Sequence, residues 1–343
     1  MSNSRIAIVG AGSWGTALAC ALSPGGETYM WSRDPTQVAA MQVKGRNPRY
    51  LSDIDLPPKV SFTADLADVV YQVPIVIMAV PAKAMLTTTR ALSGILRTQK
   101  AAEPPLVLSA AKGLDPDSGR LMSQVLSETL GDRAVVGAIS GPNIAREIAE
   151  GMPATTVVAC ADGQMAAAAQ ARISGPRLRA YTNDDVVGVE VGGAIKNVIA
   201  IGTGICDGLD AGDNAKAAIM TRGLVEMTRL GVAMGARART FSGLTGMGDL
   251  VVTCSSPHSR NRALGIGIAG GKTLEELESG MTMVAEGVNT TREALRLGKQ
   301  LGVELPIAEA VAAILFDSQD PMEVAIRLMQ RTGRSESEGL GFG

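Results

Sequence analysis

The stretch RIAIVGAGSWGTALACAL, residues 5–22, decides the fold of the first half of the chain. Residues 5–9 form a short apolar run suited to a strand buried on both faces of a parallel sheet, and residues 16–22 have helical character. Between them stands Gly10-Ala11-Gly12-Ser13-Trp14-Gly15, the G-x-G-x-x-G spacing in a strand-turn-helix setting. Gly10 permits the tight turn, Gly12 lets the backbone approach a pyrophosphate, and Gly15 lets helix pack closely on strand. Free amides at the helix start then receive the negative charge. The reading is a dinucleotide site, set against a glycine turn with a structural role only.

Working outward, the next strand, 28–31, ends in Ser32-Arg33-Asp34. A ribose 2′-hydroxyl is usually met there by an acid and a 2′-phosphate by an arginine. Arg33 favours NADP(H), Asp34 leaves NAD(H) possible, and an Arg-Asp pair capping the next helix is the alternative. Strands follow at 60–62, 75–80, 106–110 and 134–138 with helical stretches between them, and two more at 154–159 and 178–181 bracket an alanine-rich helix. This alternation predicts a doubly wound, Rossmann-type parallel sheet over residues 1–184, ending at the cap-like Asn183-Asp184-Asp185. Lys112 follows the carboxyl end of a strand, where ligands of open α/β sheets lie, although a solvated loop lysine reads the same way. The amides of residues 140–145 (SGPNIA) could face substrate or nicotinamide, or merely cap a helix.

From residue 186 the strand signals fade. Apolar-periodic stretches at 186–205, 215–234, 290–301 and 308–316 predict an all-helical domain over 185–330, and 331–343 reads as a loose tail. The fold class is therefore α/β plus all-α. Lys196 is the single charge in the run 191–205 (VGGAIKNVIAIGTGI). An ammonium among apolar groups needs partners, a depressed pKa or a functional reason to be there. Lys196 is thus a candidate proton donor and acceptor, against a stem that snorkels to water. The glycine-rich 242–249 (SGLTGMGD) lacks the P-loop arrangement, and in 253–262 (TCSSPHSRNR) Ser259, Arg260 and Asn261 could together receive a phosphate or form a solvated polar loop.

The totals narrow the partners. With 343 residues, 46% hydrophobic and 19% charged, two domains with ample core are expected. Lys and Arg number 32 against 34 Asp and Glu, and the pI is near 5.7, so no large positive field exists for nucleic acid or an anionic membrane. Cysteines at 20, 160, 206 and 254 show neither C-x-x-C pairing nor metal-ligand spacing, so no metal is expected and the compartment reads as reducing. Residues 1–12 lack the apolar core and cleavage site of a signal peptide, and 191–205 is too short and glycine-rich for a membrane span, so a cytoplasmic protein without membrane insertion is expected. His258 is the only histidine, which leaves neutral-pH acid-base work to Lys, Asp or Glu.

Together these segments resemble the bacterial-type NAD(P)-dependent glycerol-3-phosphate dehydrogenases, from about residue 5 to 330. The resemblance is carried by GAGSWGTALA at 10–19, AVPAKAM at 79–85, SAAKGL at 109–114 and SGPNIAREIAEG at 140–151. It continues in GVEVGGAIKNVIAIGTGICDGL at 188–209, GLTGMGDLVVTCSSPHSRNRALG at 243–265 and VAEGVNTTREAL at 284–295. It implies reversible reduction of dihydroxyacetone phosphate to sn-glycerol 3-phosphate, the entry to glycerophospholipid synthesis. It further implies that Ser13, Trp14, Arg33 and Tyr50 contact the nucleotide, that Lys112 touches cofactor and substrate, and that Gly141 and Asn143 line the substrate site with Ala145 near the cofactor. Lys196 would be the catalytic acid or base, and Asn197 could bond a substrate hydroxyl or phosphate. Asp249, Ser259, Arg260 and Asn261 would hold substrate, with Arg260 also toward the cofactor, and Val284 and Glu286 would close the cofactor site. The chain departs from the family at Asn143-Ile144, where Ser or Thr followed by Phe is more usual. Apolar helices in the second half make a homodimer plausible.

Overall fold

A computed structural model describes residues 5–99, 103–280, 285–332 and 335. The first strand, β1 (Ile6–Val9), is wholly buried, and its alternate residues feed two separate cores. Ile6 and Ile8 pack with Leu18 and Leu22 of α1 (Ser13–Leu22) and with Ala169 and Ile173 of α7 (Gly163–Ile173). Ala7 and Val9 pack with Leu92 and Leu96 of α4 (Ala82–Thr98) and with Val125 and Leu126 of α5 (Met122–Leu130). A strand covered on both sides cannot alternate polar with apolar, hence the continuous run IAIV. The remaining helices of this unit are α2 (Pro35–Lys44), α3 (Leu66–Val70) and α6 (Ala145–Ala149).

The other strands are β2 (Thr28–Trp31), β3 (Val60–Thr63), β4 (Ile75–Met78), β5 (Leu106–Ser109), β6 (Val135–Ser140), β7 (Ala154–Cys160) and β8 (Leu178–Asn183). They lie in the order β3-β2-β1-β4-β5-β6-β7-β8. The first six are parallel, in the dinucleotide-binding arrangement with its switch point between β1 and β4. One expectation needs correcting: β7 runs antiparallel to β6, and β8 runs parallel to β7.

Contacts divide the chain into one unit of residues 1–111 and 120–186 and another of 112–119 and 187–343. The expected division at 184/185 did not include the excursion of 112–119 into the second unit. That unit contains α8 (Val186–Gly208), α9 (Gly212–Ala233), α10 (Ala238–Phe241), α11 (Asp249–Ser255), α12 (Arg260–Ala269), α13 (Leu274–Ser279), α14 (Glu286–Leu301), α15 (Pro306–Phe316) and α16 (Pro321–Met329). Among the described residues α8 alone has the length and apolarity to cross a membrane, but 89% of its most apolar window is buried inside the protein. The expected tail at 331–343 falls largely outside the described residues.

One buried acid in the helical unit is structural. Leu305 at the N-cap of α15 has no side-chain acceptor, and Glu226 of α9 takes over, accepting the N–H groups of Ile307 at 2.7 Å and Ala308 at 3.3 Å. Burial pushes the Glu226 carboxyl from 4.5 up to about 7, with Glu309 adding to the rise and the two amides and Arg229 opposing it. Between these values the unfolded chain releases a proton that the folded one keeps. Stability should therefore decline as pH rises through the window, by on the order of a few kcal/mol. Denaturant unfolding from pH 4.5 to 7.5 should show this decline flattened in Glu226→Gln; equal slopes in the two proteins would contradict it.

Candidate active site

The glycine turn of the first unit has the shape a dinucleotide requires. A Cβ on Gly10, whose φ is 126°, would lie 2.5 Å from Ala79 O, and one on Gly15 would lie 1.9 Å from Gly10 O. A Cβ on Gly12 would meet nothing within 4 Å. Two glycines are thus dictated by packing, and the third faces the open space where a pyrophosphate would press against the backbone. Beside it, the buried indole N–H of Trp14 has no hydrogen-bond partner among the described residues. A buried donor left without a partner costs about 1–3 kcal/mol, and a polar ligand at the turn would remove that cost. The residues of the turn therefore fit the nucleotide.

The same unit carries other expected positions. Ser13 opens α1, Arg33 is exposed at the carboxyl end of β2, and Tyr50 lies half-buried after α2. Ala145 opens α6, which packs on α1 and so reaches the glycine turn's helix. Gly141 has φ 135°, and a Cβ there would come within 3.2 Å of Thr156 Cα. Asn143 is committed at both ends of its amide: Nδ2 donates to Thr155 O at 2.7 Å and Oδ1 accepts from Thr156 Oγ1 at 3.1 Å. It ties the exit of β6 to β7, a task the usual Ser or Thr could share only in part.

In the helical unit, Lys196 is 4% exposed and lies on the buried face of α8. Its Nζ donates to Asp249 Oδ1 and, at 2.9 Å, to Thr253 Oγ1. Lys112 Nζ donates to the other oxygen of Asp249 at 2.8 Å. Two ammonium groups thus share one carboxylate that is 1% exposed. Burial pushes the Lys196 pKa from 10.5 down to about 7; Lys112 pushes the same way and Asp249 opposes. Such a lysine exchanges a proton near neutrality.

Local structure delivers these groups. Residues 244–248, which read as a glycine-rich loop, form a π-helical turn that runs directly into α11 and sets Asp249 at its start. A Cβ on Gly192 would lie 2.4 Å from Thr245 O, so glycine lets this turn press against α8 one turn before Lys196. Thr253, which the sequence reading missed, stands four residues after Asp249 on α11 and donates to its carbonyl at 2.6 Å. The i, i+4 spacing was visible in the sequence, but only a helix beginning at Asp249 gives it meaning.

An amide relay extends from this cluster. Asn197 Nδ2 donates to Lys112 O at 2.9 Å, Asn261 Nδ2 donates to Asn197 Oδ1 at 2.8 Å, and the N–H of Gly287 donates to Asn261 Oδ1 at 3.0 Å. Close approach of α8 and α12 makes it possible: a Cβ on Gly204 would lie 2.1 Å from Arg262 O, and one on Gly265 2.2 Å from Ile201 O. Ser259 is the N-cap of α12, its hydroxyl accepting the N–H of Arg262, and Arg260 is exposed in the first turn. Glu286 opens α14; burial raises its pKa against the opposing charges of Arg260, Lys112 and Lys196. Lys112, Lys196, Asn197, Asp249, Asn261 and Glu286 are therefore brought together, with Arg260 beside them. Val284 lies outside the described residues, and His258 is exposed in the loop before α12.

Residues 5–166 match the family model for the NAD-dependent glycerol-3-phosphate dehydrogenase N-terminus, and residues 185–326 match that for its C-terminus. A glycerol-3-phosphate dehydrogenase (NAD(P)+) 2 of Salinibacter ruber is 46% identical over 337 residues, spanning 97% of this chain and 96% of that protein. A glycerol-3-phosphate dehydrogenase (NAD(P)+) of Thermobifida fusca is 43% identical over 341 residues, spanning 98% and 99%. The crystal structure of glycerol-3-phosphate dehydrogenase from Coxiella burnetii superposes with a TM-score of 0.89 at 35% identity, covering 95% of this chain and 99% of that one. The two units, each matched in sequence by its own half of one family, identify the chain as a member of the NAD-dependent glycerol-3-phosphate dehydrogenase family.

Proposed function

We propose that the chain interconverts dihydroxyacetone phosphate and sn-glycerol 3-phosphate with NADP(H) favoured and NAD(H) accepted, using Lys196 as the proton donor and acceptor. Family membership supports the reaction. The observation that carries the site is Lys196 itself: a buried ammonium with a pKa pushed to about 7, held by Asp249 and Thr253. When bound, the nicotinamide supplies or takes the hydride. In the reducing direction protonated Lys196 donates to the carbonyl oxygen of the substrate as negative charge develops there; in the other direction its neutral amine takes the alcohol proton.

Asp249 aims both ammonium groups, and the Asn197–Asn261 relay holds the Lys112 carbonyl. Arg260 and the first-turn amides of α12 form the receptor for the substrate phosphate, since a guanidinium matches it bidentately and a helix start presents free N–H groups. Ser259 contributes by capping that helix. A cytoplasmic location and a homodimer go with this reading; Met322, Ile326 and Met329 leave an apolar stripe exposed on α16, the kind of face a second copy covers.

Initial rates of NADPH and NADH oxidation with dihydroxyacetone phosphate test the reading. Oxidation of either is expected, and turnover of glyoxylate-type keto acids without turnover of the triose phosphate would overturn it in favour of a hydroxyacid dehydrogenase. In the same assay Arg260→Ala should raise the substrate KM by about tenfold or more, the cost of one charge-assisted contact. An unchanged KM would remove Arg260 from the phosphate receptor.

A further inference from the structure

A buried polar network ties the segment after α2 to the glycine turn. Asn47 Nδ2 donates to Ala11 O at 2.9 Å and to Thr16 Oγ1 at 2.8 Å. Gln37 Nε2 donates to Ala11 O at 3.1 Å and to Asn47 Oδ1 at 3.0 Å, and the Ser32 hydroxyl donates to Gln37 Oε1 at 2.8 Å. Asn47, Gln37, Ser32 and Thr16 are all buried, so the segment is registered against the turn that meets the pyrophosphate. Asn47 Oδ1 also accepts the N–H of Arg49 at 3.2 Å, which fixes where that side chain starts. Arg49 Nη2 then pairs with Asp34 Oδ2 at 2.7 Å, at the carboxyl end of β2.

Asp34 is spent on this arrangement. Its Oδ1 accepts the hydroxyl of Thr36 at 2.6 Å and the N–H groups of Thr36 at 2.9 Å and Gln37 at 3.4 Å, capping α2. The Thr36 hydroxyl foremost, with the capping amides and Arg49, holds its carboxyl below the usual range. An aspartate at this position ordinarily takes the ribose 2′-hydroxyl. Here one oxygen caps a helix and the other holds a guanidinium. Arg33, its neighbour, is exposed and has no ion pair among the described residues.

We propose that Arg49 is a specificity-determining residue, the second cation of a two-arginine receptor for the 2′-phosphate of NADP(H), with Asp34 as its tether and counter-charge instead of a ribose ligand. The inference rests on the dinucleotide reading of the glycine turn. Two guanidinium groups against one carboxylate leave one net positive charge, which attracts a 2′-phosphate while leaving the unphosphorylated cofactor acceptable. On binding, the phosphate takes the Arg49 fork from Asp34, and Asp34 keeps its place as the helix cap.

Calorimetric affinities of the full chain for NADP+, NAD+, 2′,5′-ADP and 5′-AMP test this without reference to turnover. Arg49→Gln should lower the NADP+/NAD+ affinity ratio, and the 2′,5′-ADP/5′-AMP ratio with it, by about tenfold. Asp34→Asn keeps a competent N-cap and loses the counter-charge, so it should raise the same ratios by tightening the phosphorylated ligands. Ratios within twofold of the wild type in Arg49→Gln overturn the proposal, as does an Asp34→Asn protein whose only change is weaker NAD+ binding, since that is the behaviour of a ribose ligand. Wild-type protein that binds none of the four overturns the dinucleotide reading and this proposal with it.

Discussion

Lys196→Ala lowers turnover by about 10²–10⁴-fold, the range for a lost general acid, while the affinity for NADPH is largely kept. The expectation follows from the separation of tasks along the chain. The glycine turn and Arg33 belong to the first unit, whereas the bonds of Lys196 to Asp249 and Thr253 lie within the second. Its pH dependence sharpens the test. With a pKa near 7, the protonated form that donates in ketone reduction is lost as pH rises through neutrality, and the neutral form that accepts a proton in alcohol oxidation is gained over the same range. Reduction in the wild type should therefore fall above pH 7 and oxidation rise, and both slopes should vanish from the residual rate of the variant. Near-normal turnover in folded Lys196→Ala protein would sink the role.

The strands were legible because burial on both faces leaves an unbroken apolar run, as in residues 6–9 and 75–78. Direction was not: the residues of β7 read the same whichever way the strand runs. The glycine turn was legible from local spacing alone. Lys196 was legible because a charge in an apolar run is an anomaly that demands a partner. That partner, Asp249, lies 53 residues away, and its placement depends on a π-helical turn that a cluster of glycines does not announce. Asn47 illustrates the rest: an asparagine between two predicted elements reads as a loop residue, and its bonds to Ala11 and Thr16 exist only once the sheet has formed. Capping of the next helix was among the readings of Arg33-Asp34, whereas the pairing of Asp34 with Arg49 was invisible for the same reason.

Asp249→Asn should cost about as much turnover as loss of the lysine at neutral pH, and by a different route that the pH profile separates. The carboxylate is the influence that opposes burial and Lys112 in holding the Lys196 proton. An amide of the same shape removes that influence and leaves two ammonium groups, one of them buried, facing each other without the carboxylate that bonded both. Lys196 then relieves the repulsion by losing its proton, so its pKa falls well below 7. At pH 7 the donor form is scarce, and dihydroxyacetone phosphate reduction should drop by about a hundredfold. Lowering the pH should recover part of the rate, with the midpoint of the reduction profile moved to the acid side by at least a full pH unit. A profile with its midpoint unmoved, even at reduced amplitude, would mean that Asp249 acts on substrate placement alone and that the charge balance around Lys196 is set elsewhere. Asp249→Glu adds a control: it restores the charge with displaced geometry, so the midpoint should return toward 7 while turnover stays low.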